Sequence, residues 1–323
     1  SKNNVSIVSL VRDTALEKFP IIELIRLLNE KLNDLDPDFV AIAGYFRPTM
    51  LFALLRCLIN KKKTILFSES TEIDNTRIWW KEYIKSTILR FYNAALVGGK
   101  PQKRYLIKLG MEEKAIALGY NIVGNENFNP CEIRKSKRPF KSKYFLSINR
   151  FIEKKNIIFL LHAYAEYKRK SGSNAWDLVL CGDGELRNKI ETTIELLNLS
   201  DSVHLTGFLQ QNELLPYFAH AECFVHASTH EQWGLVINEA MAAGLPVVVS
   251  NRCGCCEDLV VEGINGFGFD PHNKKQLTDL MLKMSSDEID LTAMGRAGLE
   301  HIQKFSPDYF AQGIRKSIQY ALR

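Results

Sequence analysis

Short apolar runs alternate along the chain with longer stretches whose apolar positions recur every three or four residues. That is the pattern of strands alternating with amphipathic helices. Val5 to Val11 (VSIVSLV) predicts a strand, and Ile21 to Leu35 a helix with Ile21, Leu24, Ile25, Leu28 and Leu32 on one face. Pro37 ends that helix. Strands are expected at Phe39 to Tyr45, Thr64 to Ser68 and Ala94 to Gly98, with helices at Pro48 to Asn60, Arg77 to Tyr92 and Pro101 to Gly110 between and after them. After residue 143 the alternation resumes. Strands are predicted at Tyr144 to Asn149, Trp176 to Gly182, Val203 to Phe208, Glu222 to Ser228, Pro246 to Ser250 and Gly266 to Phe269. Helices are expected at Asn156 to Lys170, Glu213 to Ala221, from near Gly234, and at 274–285, 288–304 and 308–322. Such an order predicts parallel α/β sheets.

The 323 residues allow two domains. A composition shift marks the join: residues 134–143, RKSKRPFKSK, carry six positive charges and no acid. We therefore expect an amino-terminal Rossmann-like domain at 1–125, a basic solvated linker at 126–142, a second Rossmann-like domain at 143–306, and a final helix at 307–323 that crosses back to the first domain. Hydrophobic content of 46% and charged content of 24% are those of an ordinary globular protein. The net charge of +5 suits an anionic ligand or an acidic membrane surface without selecting either. No aromatic and basic motif of a nucleic-acid-binding module is present, so nucleic acid is not an expected partner.

The seven cysteines are odd in number, and Cys181 and Cys223 fall in apolar strands, which predicts reduced thiols and a cytoplasmic protein. Cys253, Cys255 and Cys256 lack a second pair at metal-site spacing and read as plain loop thiols. The polar opening SKNN does not read as a signal peptide, and the apolar stretch Phe39 to Ile59 is broken by Arg47, Pro48 and Arg56. Membrane contact, if any, is expected to be peripheral, at the inner face.

Residues 222–250, ECFVHASTHEQWGLVINEAMAAGLPVVVS, read as strand, polar turn, helix and strand. The turn falls at the carboxyl end of a parallel strand, where open sheets bind ligands. Glu231 and Glu239 frame it, and Trp233, Gly234 and Leu235 bring backbone N–H groups to a helix start, a natural seat for phosphate. A carboxylate accepts two hydrogen bonds from a vicinal diol. This spacing resembles the donor site of the retaining glycosyltransferases of the GT-B fold, the family-four or group 1 type. The resemblance implies two Rossmann-like domains facing a cleft, a nucleotide-sugar donor linked to UDP or GDP, and a glycan or lipid-linked acceptor. It implies that Glu239 binds the ribose hydroxyls, that Glu231 lies beside the sugar ring, and that the Gly234 and Leu235 amides face the diphosphate. Arg150 and Lys155, in NRFIEKKN, match the family's cations that neutralise the departing diphosphate, so that no metal or other cofactor is required. Gly182 and Gly184 in the GDGELR turn face the nucleotide, and Phe208 ends a strand near the base. In NRCGCCEDLVVEGING, Gly254 takes a family glycine position, Cys255 replaces a second glycine, and Asp258 stands where an acid is usual.

Two departures concern the acceptor side. The first glycine is Gly44, so the glycine loop expected after the opening strand is absent and the first domain reads as shortened. All seven histidines lie at or after His162, so the histidine that relatives place near the acceptor has no counterpart, and Glu69 becomes the candidate acceptor contact or base, against its reading as a solvated loop carboxylate. The leading expectation is a retaining hexosyltransferase. The alternatives are a non-catalytic nucleotide-sugar binding protein and another GT-B enzyme such as a sugar-nucleotide epimerase.

Overall fold

A computed structural model describes residues 6–11, 18–74 and 76–323. Among these residues, ten strands form two parallel sheets. The first sheet contains β1 (Phe39–Ala43), β2 (Lys63–Ser68), β3 (Ala94–Val97) and β4 (Ile116–Leu118), in that spatial order. The second contains β5 (Tyr144–Ile148), β6 (Asp177–Cys181), β7 (Val203–Gly207), β8 (Cys223–His226), β9 (Val247–Ser250) and β10 (Gly266–Phe269), in the order β10-β9-β8-β5-β6-β7.

Helices cover both faces of the second sheet, and this explains the composition of its strands. A parallel strand buried on both faces reads as a continuous apolar run, as VVVS and YFLSI do. Alternate side chains of β5 feed different cores: Phe145 packs with Leu160, Tyr164 and Tyr167, while Tyr144 and Leu146 pack with Phe218, Phe224 and Met241. The strand order reverses at β5, so the loops after β5 and β8 diverge to opposite sides and leave a crevice between them.

The last helix, Pro307–Ala321, returns to the first sheet. Gly313 lies so close to the Leu118 carbonyl that an added Cβ would stand 2.4 Å from it, and the Ser317 hydroxyl donates to the Ala95 carbonyl at 3.2 Å.

The described residues differ from the expected elements in three places. Residues 6–11 form no strand, and Ile7 is almost fully exposed; an apolar run without a neighbouring ladder has nothing to pair with. Val5 lies outside the described residues. The strand β4 was not legible because three residues cannot display a period of two. The segment expected to be a solvated linker, 126–142, is not simply that: Phe128 and Ile133 are buried in the second core, and Phe140 stacks on His204 at 4.5 Å. Among the described residues, no helix is long and apolar enough to cross a membrane.

Candidate functional site

The crevice at the carboxyl ends of β5 and β8 opens into a cavity of 440 Å³. Its walls include Arg150 and Lys155 from the segment after β5, Gly182 after β6, Phe208 after β7, and Glu231, Gly234, Leu235 and Glu239 after β8. Glu69, after β2 of the first sheet, lines the same space. The fold thus brings together residues from Glu69 to Glu239, far apart in the chain.

The turn after β8 is braced from below by the turn after β9. Glu231 N–H donates to the Arg252 carbonyl at 3.2 Å, and Gly254 N–H returns a bond to the Glu231 carbonyl at 2.9 Å. Cys255 then bonds the Trp233 carbonyl, with its thiol buried beneath Gly234. Cys253 and Cys255 are free thiols of this loop, both buried in the core beneath it. Gly234 caps the helix Leu235–Ala242 with φ of 105°, a left-handed conformation that favours glycine. At the helix start, the Leu235 and Val236 N–H groups have no acceptor among the described residues and face the cavity. Gly182 is required by close approach: a Cβ there would stand 1.8 Å from the Asn149 carbonyl oxygen. Gly184 lies over the backbone of Phe151 and shapes the turn from behind the cavity wall.

The two framing carboxylates have opposite environments. Glu231 is clamped: Lys154 Nζ donates to one oxygen at 2.9 Å and Lys155 Nζ to the other. Burial alone would raise its pKa, but the adjoining His226 and the two ammonium groups hold it well below the carboxylate range. The lysines are the stronger influence, since His226 Nε2 stands 3.9 Å away, beyond hydrogen-bond reach. His226 is itself fully buried, which depresses its pKa. Glu239 has no hydrogen-bond donor among the described residues, and burial raises its pKa to about 7. One carboxylate is already satisfied; the other awaits a partner.

Several sites differ from expectation. The Trp233 side chain does not face a ligand: its indole is buried and donates to Asn238 at 2.9 Å. Lys155 is committed to Glu231 and is only 14% exposed, whereas Arg150 is exposed and makes no ion pair among the described residues. Phe208 stands at the rim, 70% exposed. Glu69 is not a solvated loop carboxylate; it is half-buried in the cavity wall, and desolvation raises its pKa. Lys154, His226 and Asn149 escaped the sequence reading. Lys154 adjoins Lys155, and only the fold shows that both reach one carboxylate.

The first sheet is joined to this turn through the helix Lys100–Lys108. Asp258 Oδ2 accepts from the Lys100 N–H at 2.9 Å and so caps that helix from the opposite domain. Gln102 donates to the Gln232 carbonyl at 2.5 Å, and Arg104 forms a bidentate pair with Glu257 at 2.7 and 2.5 Å. Trp233 packs on Gly98 and Gly99, where a side chain would clash with its ring.

Residues 129–301, more than half of the chain, match the family described as glycosyl transferases group 1. The chain belongs to that family. An uncharacterized glycosyltransferase of Methanocaldococcus jannaschii is 31% identical over 301 residues, covering 80% of this chain and 72% of its own. The 2-deoxystreptamine N-acetyl-D-glucosaminyltransferase of Niallia circulans is 25% identical over 87% of this chain and 75% of its own. Among solved structures, Anabaena HepE in complex with UDP and glucose superposes with a TM-score of 0.75 at 18% identity, over 91% of this chain and 81% of that one. The family and these likenesses establish a GT-B glycosyltransferase fold of two Rossmann-like domains, as the alternation of elements and the motif around Glu231 and Glu239 implied.

Proposed function

We propose that the chain is a retaining glycosyltransferase that moves a sugar from a UDP- or GDP-linked donor to a hydroxyl of a glycan or lipid-linked acceptor. The observation that carries this reading is the convergence of Arg150, Lys155, Glu231, Glu239 and the helix start at Leu235 on one cavity. HepE, of the same fold, was captured with UDP and glucose, which makes UDP the first base to test.

Each group has a task its environment fits. Glu239, desolvated and unpartnered, accepts both ribose hydroxyls, and their hydrogen bonds draw its pKa back down. The Leu235 and Val236 N–H groups and the Arg150 guanidinium receive the diphosphate. As the bond from the anomeric carbon to the diphosphate oxygen breaks, negative charge grows on that oxygen, and fixed donors stabilise it more than they stabilise the bound donor. Glu231 is held ionised by its lysines and so cannot supply a proton at neutral pH; it orients the sugar and faces the positive charge developing on the ring. When the diphosphate arrives, Lys155 is shared between it and Glu231. Glu69, across the cavity, contacts the incoming acceptor hydroxyl, whose oxygen bonds the anomeric carbon while its proton passes to the departing diphosphate oxygen. These cations and amides serve where other enzymes place a metal, so the reaction proceeds without one.

The test is turnover of UDP-sugars with the anomeric configuration of the product followed by NMR, with and without EDTA. Retained configuration and EDTA-insensitive turnover are expected; an inverted product overturns the retaining assignment. Donor binding without any turnover would favour a non-catalytic binding protein.

A further inference from the structure

A second cavity, of 670 Å³, adjoins the first and shares Gln232 with it. It is built by the first domain, at the carboxyl ends of β1 and β2 and along the helix Trp79–Leu89. Its composition is unlike that of the donor cavity. Phe46, Ile78, Trp80 and Ile84 supply an apolar wall, and all four are substantially exposed, between 38% and 62%. On the same helix but outside this cavity, Trp79 and Tyr83 are exposed by 81% and 70%. Large aromatics are rarely left this open together without something to cover them.

The polar side of the cavity carries Arg77, Lys81 and Lys85 against Asp74 and Glu82. The acids are engaged, and so are two of the cations: Arg77 donates to the Thr71 and Glu72 carbonyls and stands 3.7 Å from Glu82, which Lys85 meets at 2.6 Å. Asp74 accepts from the backbone and hydroxyl of Thr71, and Glu82 accepts from Lys85 and the Tyr105 hydroxyl. Lys81 makes no ion pair among the described residues and lies 5.4 Å over the Trp80 ring. Tyr45 is only 2% exposed, lines this cavity beside Ser70, and its hydroxyl makes no hydrogen bond of ordinary geometry among the described residues. A buried hydroxyl left unmatched is a donor waiting for an acceptor atom.

We infer that this cavity takes an acceptor that is an anionic amphiphile, with a phosphate-bearing polar head between Tyr45, Arg77 and Lys81 and an apolar tail along Phe46, Trp80 and Ile84. The inference rests on the glycosyltransferase reading and narrows its acceptor. Charge and shape agree: Lys81 has no ion pair among the described residues, exposed aromatics line the tail end, and Gln232 lines both this cavity and the donor cavity. Tryptophan and tyrosine at a surface suit a chain drawn from a lipid interface.

The probe is dodecyl phosphate, used below its micelle concentration and followed by tryptophan fluorescence. Of the four tryptophans, Trp176 and Trp233 are buried, so in a Trp79→Phe background the exposed indole is that of Trp80. A saturable blue shift is expected, with inorganic phosphate and dodecyl maltoside at least about tenfold weaker. Phe46→Ala should weaken dodecyl phosphate by about tenfold, and Lys81→Ala should weaken it by about fivefold while leaving the maltoside unchanged. The inference is overturned by no saturable shift, by equal affinity for the neutral detergent or for inorganic phosphate, or by binding indifferent to both substitutions. Calorimetry with UDP on the same preparations separates the two claims. UDP binding without dodecyl phosphate binding sinks this inference alone, and dodecyl phosphate binding without UDP binding sinks the donor reading alone.

Discussion

The two sheets are built on the same alternation of strand and helix, yet only the second makes a ligand crevice from its backbone. Strand order reverses at β5 in the second sheet, whereas the described strands of the first run β1 to β4 without reversal. The second sheet therefore holds its polar groups on turns fixed by ladders on both sides. Glu231 is positioned by backbone bonds to Arg252 and Gly254 before any side chain contributes. The first sheet instead presents side chains of a helix, Trp80, Lys81 and Ile84, over its strand ends. A backbone-built crevice suits the proposed donor, and a wall of side chains suits the proposed acceptor.

Removing Lys155 tests the comparison most severely. Lys155→Ala should lower turnover by about 10²–10³-fold, the scale of losing one donor to a developing oxyanion, while donor affinity falls by less than about tenfold. Steady-state kinetics beside calorimetry give both values, and equal losses would reduce the residue to ground-state binding. Next in size, Glu239→Ala should weaken nucleotide binding by about 1–3 kcal/mol with turnover at saturating donor little changed.

Glu239 also makes a prediction about pH. Its pKa is raised from 4.5 to about 7 in the folded chain, so the folded state holds a proton that the unfolded state has released between those values. The stability that this proton provides is complete below pH 4.5 and lost as pH rises through 7. Glu239→Gln should therefore be more stable than the parent at pH 8, on the order of 1–3 kcal/mol, and indistinguishable at pH 4. Nucleotide affinity runs the opposite way, strengthening as pH rises through 7 because the ribose hydroxyls favour the ionised carboxylate. Urea melts and titrations at the two pH values measure each trend.

The smallest effect belongs to the surface. Arg104 and Glu257 are 60% and 44% exposed, so Arg104→Ala should cost only about 0–1 kcal/mol despite its bidentate geometry. Gly99→Ala, on the same helix, should do more: its Cβ would meet Asp258 at 2.2 Å and the Trp233 ring at 2.7 Å, forcing the two halves apart. Small-angle scattering would register that opening.

Sequence and structure agree best where local pattern dominates. The helix Ile21–Leu35 and the strand Gly266–Phe269 have the residues their apolar spacing predicts. The spacing of Glu231 and Glu239 across one turn also placed both beside one cavity, because the turn and the first helical turns are contiguous in the chain. What was not legible depends on long-range contact. Nothing local reveals that Lys154 joins Lys155 on Glu231, that Trp233 turns inward to Asn238, or that Asp258 caps a helix of the other domain. Nor could the 3₁₀ turns and short helix at 125–133 be read beside the basic run that follows, since charge there masked two buried anchors, Phe128 and Ile133.

The central claim is that the crevice between β5 and β8 is a nucleotide-sugar site organised by Glu239. Calorimetric titration of the parent and Glu239→Ala proteins with UDP, GDP and their sugar conjugates at pH 8 tests it most directly. The account predicts saturable binding of one nucleotide family to the parent and a loss of about 1–3 kcal/mol in the variant. A folded parent that binds none of these ligands, or a variant that binds as tightly as the parent, would contradict it.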